Sequence, residues 1–179
     1  MLTSLALLSA LAVPAKFPTL KARDLDGHDV TVPGSYPGKA LVVLMGFTRE
    51  SQYVIEPWAA KAAKLIDGDD RVWVLEMPVY GWAASLARPF IDGGMKKATK
   101  PADRPHVATS TDRAAAAKGL ALGSDDSEAI TLVAPDGTIR FFARGALTPE
   151  KEAQFAEALA SLRGELHASG ETAPEGDAR

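Results

Sequence analysis

Thr48-Arg49-Glu50-Ser51-Gln52 is the stretch whose residue types and spacing come nearest to chemistry. It sets a cation, a carboxylate, two hydroxyls and an amide directly after an unbroken apolar run. The junction between a buried strand and a following helix is where open α/β sheets place ligands, because backbone N–H groups converge there and favour an anion. In one reading Arg49 and Ser51 contact a small anion or an acidic peptide. In the other, Thr48 or Ser51 caps the helix, which accounts for these residue types without a ligand. Enzymatic use of Arg49 and Glu50 lacks a base paired with a nucleophile, and neither Ser51 nor Ser85 sits in a nucleophile-elbow motif.

Most other chemistries are excluded by what is missing. None of the 179 residues is cysteine, which removes disulfides, thiolate metal ligands and every thiol nucleophile. His28, His106 and His167 are scattered, with no pair at i, i+4. Asp24, Asp26 and Asp29, or Asp67, Asp69 and Asp70, lack the twelve-residue calcium pattern with its terminal Glu. The glycines, Gly93-Gly94 included, build no phosphate loop with a following Lys-Ser/Thr. No metal and no cofactor is expected. With a net charge of −3 and no window dense in Lys and Arg, nucleic acid is not an expected partner. The densest basic stretch, Lys96, Lys97 and Lys100 with Arg104, reads as a solvated face.

The elements that must position the Thr48–Gln52 corner are legible from periodicity. Lys21 to Val32 reads as a hairpin about Asp26-Gly27, and Ala40 to Phe47, bounded by Pro37-Gly38 and by charge, as a central strand buried on both faces. Ile55, Trp58, Ala59, Ala62, Leu65 and Ile66 recur at helical spacing, and Arg71 to Met77 forms a second strand. Strand, helix and strand joined by short loops make a parallel pair, so the fold class is α/β. Val79 to Lys100 reads as a helical insertion and Lys100 to Pro105 as a loop. A short third parallel strand is expected at His106 to Thr109, and a helix at Arg113 to Leu120 that Gly119 or Gly123 could cap. Ala129–Ala134 and Thr138–Ala143 form a hairpin about Pro135-Asp136-Gly137. Thr148-Pro149-Glu150 opens a last helix with Phe155, Leu159 and Leu162 as its buried stripe. The domain is expected to span residues 16–163, with a polar disordered tail at 164–179.

The first fifteen residues read as a signal peptide: Met1 to Val13 is almost purely Leu, Ala and Ser, and Val13-Pro14-Ala15 offers a cleavage site. That implies a periplasmic or secreted protein beginning at Lys16. A missing positive charge before the run leaves a late start codon or a buried N-terminal helix as the alternative, with a cytoplasmic or membrane-associated location. No later segment is long and apolar enough to cross a membrane.

Hairpin, buried strand, helix, parallel strand, insertion, hairpin and terminal helix is the element order of thioredoxin-like domains of the peroxiredoxin and thiol-disulfide reductase type, which the chain resembles from about Phe17 to Arg163. The local carriers are Phe17-Pro18-Thr19-Leu20 with Leu25-Asp26-Gly27, the strand Leu41 to Phe47 before a helix containing Pro57, and Ala134-Pro135-Asp136-Gly137-Thr138-Ile139 with Gly145 to Glu150. The resemblance implies a central mixed sheet with flanking helices and a helical insertion. Counted back from Pro57, it puts that superfamily's Cys-x-x-Cys window on Arg49-Glu50-Ser51-Gln52, with both sulfurs absent, and its substrate-binding cis-proline near Glu128, where there is no proline. Gly46-Phe47-Thr48, Trp58, Met77-Pro78-Val79, Gly94-Met95-Lys96 and Asp136-Gly137-Thr138-Ile139-Arg140-Phe141 are also similar to segments of the mitochondrial ATP synthase assembly factor family, which carries no conserved redox pair. This resemblance implies a binding or assembly factor whose partner is a protein, such as a membrane-complex subunit. The contact residues are then Thr48, Arg49, Glu50, Ser51, Gln52 and Glu128 at the old active-site corner, with Trp82 in the insertion. Among the other aromatics, Phe90 and Phe142 could join a contact face, whereas Trp58 and Phe141 read as core.

Overall fold

The computed structural model describes residues 15–81 and 86–171. Strand β3 (Ala40–Gly46) is buried at every position, as its unbroken apolar run requires. It runs parallel to β4 (Val72–Pro78), in register from Ala40 opposite Val72 to Gly46 opposite Pro78. On its other side it is antiparallel to β6 (Glu128–Val133), which forms a hairpin with β7 (Ile139–Ala143). The N-terminal hairpin, β1 (Leu20–Asp24) with β2 (Asp29–Val32), turns at Gly27, whose φ of +98° a side chain would resist. Its β1 pairs antiparallel with β5 (Ala108–Ser110), and parallel bridges from Val107 to Glu76 and from Ser110 to Val79 join β5 to β4. The sheet is therefore mixed.

Successive side chains of β3 point to opposite faces, and each face builds a separate core. Leu41, Val43 and Met45 pack with Leu20, Val32, Leu75, Met77 and Leu120, the last beside helix α3 (Arg113–Gly119). Ala40, Val42 and Leu44 pack against Ile55, Trp58 and Ala62 of helix α1 (Ser51–Ile66), and against Phe155, Leu159 and Leu162 of helix α4 (Pro149–Glu171). Trp58 and Phe141 are core as expected; the Trp58 ring stands edge-on to Phe155, 6.0 Å between centroids. At about 1.5–3 kcal/mol per fully buried large side chain, these two layers dominate the stability of the fold.

The short third strand is parallel to β4 as expected, and it adds an antiparallel ladder with β1. Three expectations need correction. Pro101–His106 is a 3-10 helix rather than a loop, consistent with prolines that preset φ in so short a turn. The residue with left-handed backbone after α3 is Ala121, φ +50°, not a glycine. Gly119 instead serves packing, since a Cβ there would lie 2.5 Å from Pro18 Cβ. Finally, α4 does not stop at Gly164 but continues to Glu171. A lone glycine costs a helix only about 1 kcal/mol, and Leu166 on the core, the Arg140–Glu165 pair and the contact of His167 with Arg71 lie beyond it.

Helix α2 (Arg88–Ala98) occupies the insertion and buries none of its side chains. Trp82 to Ser85 lie outside the described residues, as do residues 1–14 and 172–179. Among the described residues no helix is long and apolar enough to cross a membrane.

Candidate functional site: the strand-to-helix corner

The corner is built by β3 running out beneath the start of α1. Gly46 makes the close approach possible: a Cβ there would sit 2.9 Å from Ile55 Cδ1 and 3.0 Å from Ser51 Cβ. Beyond it, the Phe47 amide donates to the Ser127 carbonyl at 2.8 Å, which ties the end of β3 to the loop before β6.

Ser51, the first residue of α1, is only 2% exposed. Its hydroxyl donates to the same Ser127 carbonyl and accepts the Thr48 amide at 3.1 Å. Thr48 Oγ1 lies 3.2 Å from Ser51 Oγ. Since the Ser51 hydrogen is already committed to Ser127, the Thr48 hydroxyl must be the donor in that contact. Two hydroxyls at i, i+3 thus face each other where the strand meets the helix. This pair is one residue upstream of the Arg49–Gln52 window reached by counting from Pro57. No base touches either hydroxyl, so the pair has hydrogen-bonding chemistry and no means of ionising a nucleophile.

The other expected site residues divide sharply. Arg49, Glu50 and Gln52 are exposed, Gln52 reaching along the helix to Glu56 at 2.9 Å. Glu50 occupies the N-cap position without a side-chain capping bond, and its negative charge there opposes a bound anion. Tyr53, 80% exposed, extends the same surface; nothing in the periodicity of α1 singled it out. Glu128 is brought beside the corner, directly opposite Gly46, but is only 6% exposed. One carboxylate oxygen accepts the Gly145 amide at 2.8 Å and the other accepts the Ser127 hydroxyl. A buried carboxylate so occupied belongs to the frame of the corner and not to its surface. Gly145 in turn accepts the Trp58 indole N–H at 3.2 Å, so the frame continues into the core. Trp82 lies outside the described residues.

A neighbour that periodicity could not reveal is Arg113, at the start of α3. It donates to the Phe47 carbonyl at 2.8 Å and places its guanidinium 5.1 Å from the Phe47 ring centroid. Together with Leu122, Gly123, Ser124 and Asp126 it lines a cleft of about 200 Å³. A larger cavity, about 460 Å³, lies at the far end of the sheet between Arg71, Ala134, Arg140, Leu162 and Leu166, where no expected site residue falls. The three histidines are engaged separately: His28 with Asp24 at 2.9 Å, His106 stacked on Trp73 at 3.9 Å, His167 on Arg71. Among the described residues no three His, Asp or Glu side chains gather as metal ligands would.

No family model and no curated protein matches the chain. Solved structures do. An Aquifex aeolicus protein provisionally assigned to electron transport superposes with a TM-score of 0.63 at 13% identity, covering 86% of this chain and 99% of its own. The thioredoxin domain of a Bacteroides vulgatus thiol-disulfide oxidoreductase gives 0.56 at 16%, covering 84% and 99%. BsSco, of the Sco family of cytochrome c oxidase assembly proteins, gives 0.52 at 13%, covering 84% and 95%. At these identities the likeness defines a fold, and that fold is thioredoxin-like. The chain has this fold without a single cysteine.

Proposed function

We propose that this protein is a redox-inactive thioredoxin-like binding protein of the cell envelope that helps assemble a membrane protein complex. The carrying observation is the Thr48–Ser51 pair. The strand-to-helix corner holds two hydroxyls 3.2 Å apart, with Ser51 buried and its hydrogen committed to a backbone carbonyl, and the chain has no cysteine to place there. What such a corner offers a partner is its rim: Thr48, Arg49, Glu50, Gln52 and the exposed Tyr53. Tyrosine and arginine are among the residue types that carry binding energy between proteins when a partner covers them. The segments similar to the ATP synthase assembly factor family support the assembly reading. The Sco-family neighbour offers a second thioredoxin-like protein named for assembly. Placement in the envelope rests on the export signal read at residues 1–15, with Trp82 of the insertion as a further contact.

The experiment is affinity capture from native membranes, followed by titration of the captured partner against Arg49→Ala, Tyr53→Ala and Trp82→Ala. Binding should weaken at least about tenfold in the rim variants while purified protein reduces neither insulin nor peroxide. Turnover of either substrate above a buffer blank would refute the redox-inactive part. Wild-type affinity in all three variants would refute the contact surface.

A further inference from the structure

The described residues expose three large apolar side chains, and two of them, Leu86 at 80% and Phe90 at 85%, belong to helix α2 and the turn that leads into it. Single exposed apolar residues are ordinary, but a helix that buries nothing while presenting its largest side chain to solvent is not. The inner side of α2 is held by polar contacts. Arg88 donates to the Thr109 carbonyl at 2.8 Å and pairs with Asp92 at 3.2 Å, Lys96 pairs with Asp26 at 3.1 Å, and the Tyr80 hydroxyl donates to Met95 Sδ at 3.4 Å. The outer side carries Phe90, Gly94 and Lys97 at i, i+4 and i+7, hence on one face. Nothing lies within 4 Å of where a Gly94 Cβ would be, so packing does not demand glycine there, yet its absence of a side chain lets a flat surface come close.

Charge selects the occupant. Between Leu86 and Lys100 there are four cationic residues and one anionic; with Arg88 paired to Asp92 and Lys96 to Asp26, a local +2 remains on Lys97 and Lys100 in a chain whose net charge is −3. Lys97 and Lys100 are exposed and make no ion pair among the described residues. The apolar anchors project from a convex helix, and neither described cavity lies beside it. A protein partner would have to supply matching pockets, whereas a bilayer accepts projecting side chains anywhere along its interface. We propose that Leu86, Phe90, Lys97 and Lys100 form a peripheral membrane-contact surface, on which α2 lies flat against an anionic phospholipid headgroup layer. This surface uses no residue of the corner and holds whether or not the corner binds a partner.

The test is flotation of the full chain with vesicles of phosphatidylcholine alone and of equimolar phosphatidylcholine and phosphatidylglycerol. The apolar N-terminal stretch is common to every variant, so differences between variants report on α2. Wild type should float more with the anionic vesicles, against the sign of its net charge. Leu86→Ala/Phe90→Ala and Lys97→Glu/Lys100→Glu should each lower the anionic vesicle-bound fraction by at least about fivefold. Circular dichroism and the melting temperature should stay as in wild type, because none of the four side chains is buried. Equal flotation with neutral and anionic vesicles, or wild-type flotation of both double variants, would overturn the proposal and leave this face to a protein.

Discussion

The strand-to-helix corner and helix α2 are opposite solutions to the same problem of attaching an element to the sheet. At the corner, polar groups turn inward: the Ser51 hydroxyl, the Thr48 amide and the Glu128 carboxylate are all used by neighbours, and little is left for a ligand. At α2, polar groups hold the inner side while the apolar Phe90 turns outward into solvent. Damage at the corner should therefore cost stability, and damage on the outer face of α2 should cost association only.

The comparison can be broken most decisively at its anchor. Trp58→Ala removes a 1%-exposed indole that packs on Phe141 and Phe155 and hydrogen-bonds Gly145, the residue that Glu128 holds. It should destabilise by about 3–5 kcal/mol in a denaturant titration. A loss below about 1 kcal/mol, close to what surface substitutions cost, would show that the corner is not seated on the core.

A charged frame distant from both regions provides a calibration. Asp69 holds Arg71 at 2.9 Å and Arg163 at 2.7 Å, joining the loop before β4 to α4. The Arg71 hydrogen bond, aided by Arg163 and opposed by burial, keeps this carboxyl well below the usual carboxylate range. A depressed folded value means that the stabilisation is complete above the unfolded value near about 3.9 and fades as pH falls below it. Asp69→Asn should cost about 1–3 kcal/mol at neutral pH. Its deficit against wild type should shrink below about pH 4 in paired melting curves. A deficit that stays constant down to strongly acid pH would assign the loss to packing.

Ser51→Ala asks how much the neutral network contributes. Without the hydroxyl the Thr48 amide loses its acceptor in a part-buried site, and a cost of about 1–3 kcal/mol is expected, with an unchanged denaturant slope. No change in the midpoint would mean that water replaces the hydroxyl, and the inward-turned corner would lose its energetic basis. The smallest effect is expected across the molecule, where Phe90→Ala should leave the melting temperature within the equivalent of about 0.5 kcal/mol of wild type. A larger loss would place Phe90 against an undescribed neighbour and remove the contrast.

Legibility followed periodicity. β3, α1 and the β6–β7 hairpin could be read because both faces of β3 and one face of α1 are apolar with clean periods, and because Asp136-Gly137 marks its own turn. The far end of α4 could not, because composition turns polar at Gly164 while tertiary contacts of Leu166 and Glu165 keep the helix going. At the corner, the positions of Thr48 and Ser51 were legible but their pairing was not. The contact of Thr48 with Ser51 depends on how closely α1 approaches the end of β3, which the missing side chain of Gly46 allows and no local pattern states. Arg113 and Ser127 were invisible because their roles come from chain segments more than 60 residues away, which no local pattern encodes. The sequence offered Phe90 for a contact face together with Phe142, and only the structure separates the two, Phe90 being exposed and Phe142 half-buried against the core.

Lys16 and its neighbours carry one further consequence. Lys16 bridges to Thr138, the Phe17 amide donates to Gly137, the Ile139 amide donates to Ala15, and the Lys16 ammonium sits on Asp136 at 3.1 Å. Strand β7 is the outermost strand of its ladder, and an outermost strand with unsatisfied backbone groups is a template on which other chains can add. Residues 15–17 occupy the first part of that template themselves and put a lysine over it. Of these, Lys16 and Phe17 lie after the expected cleavage site and keep their contacts with Gly137, Thr138 and Asp136, so a chain shortened to begin at Pro18 is expected to leave the start of β7 open to its neighbours.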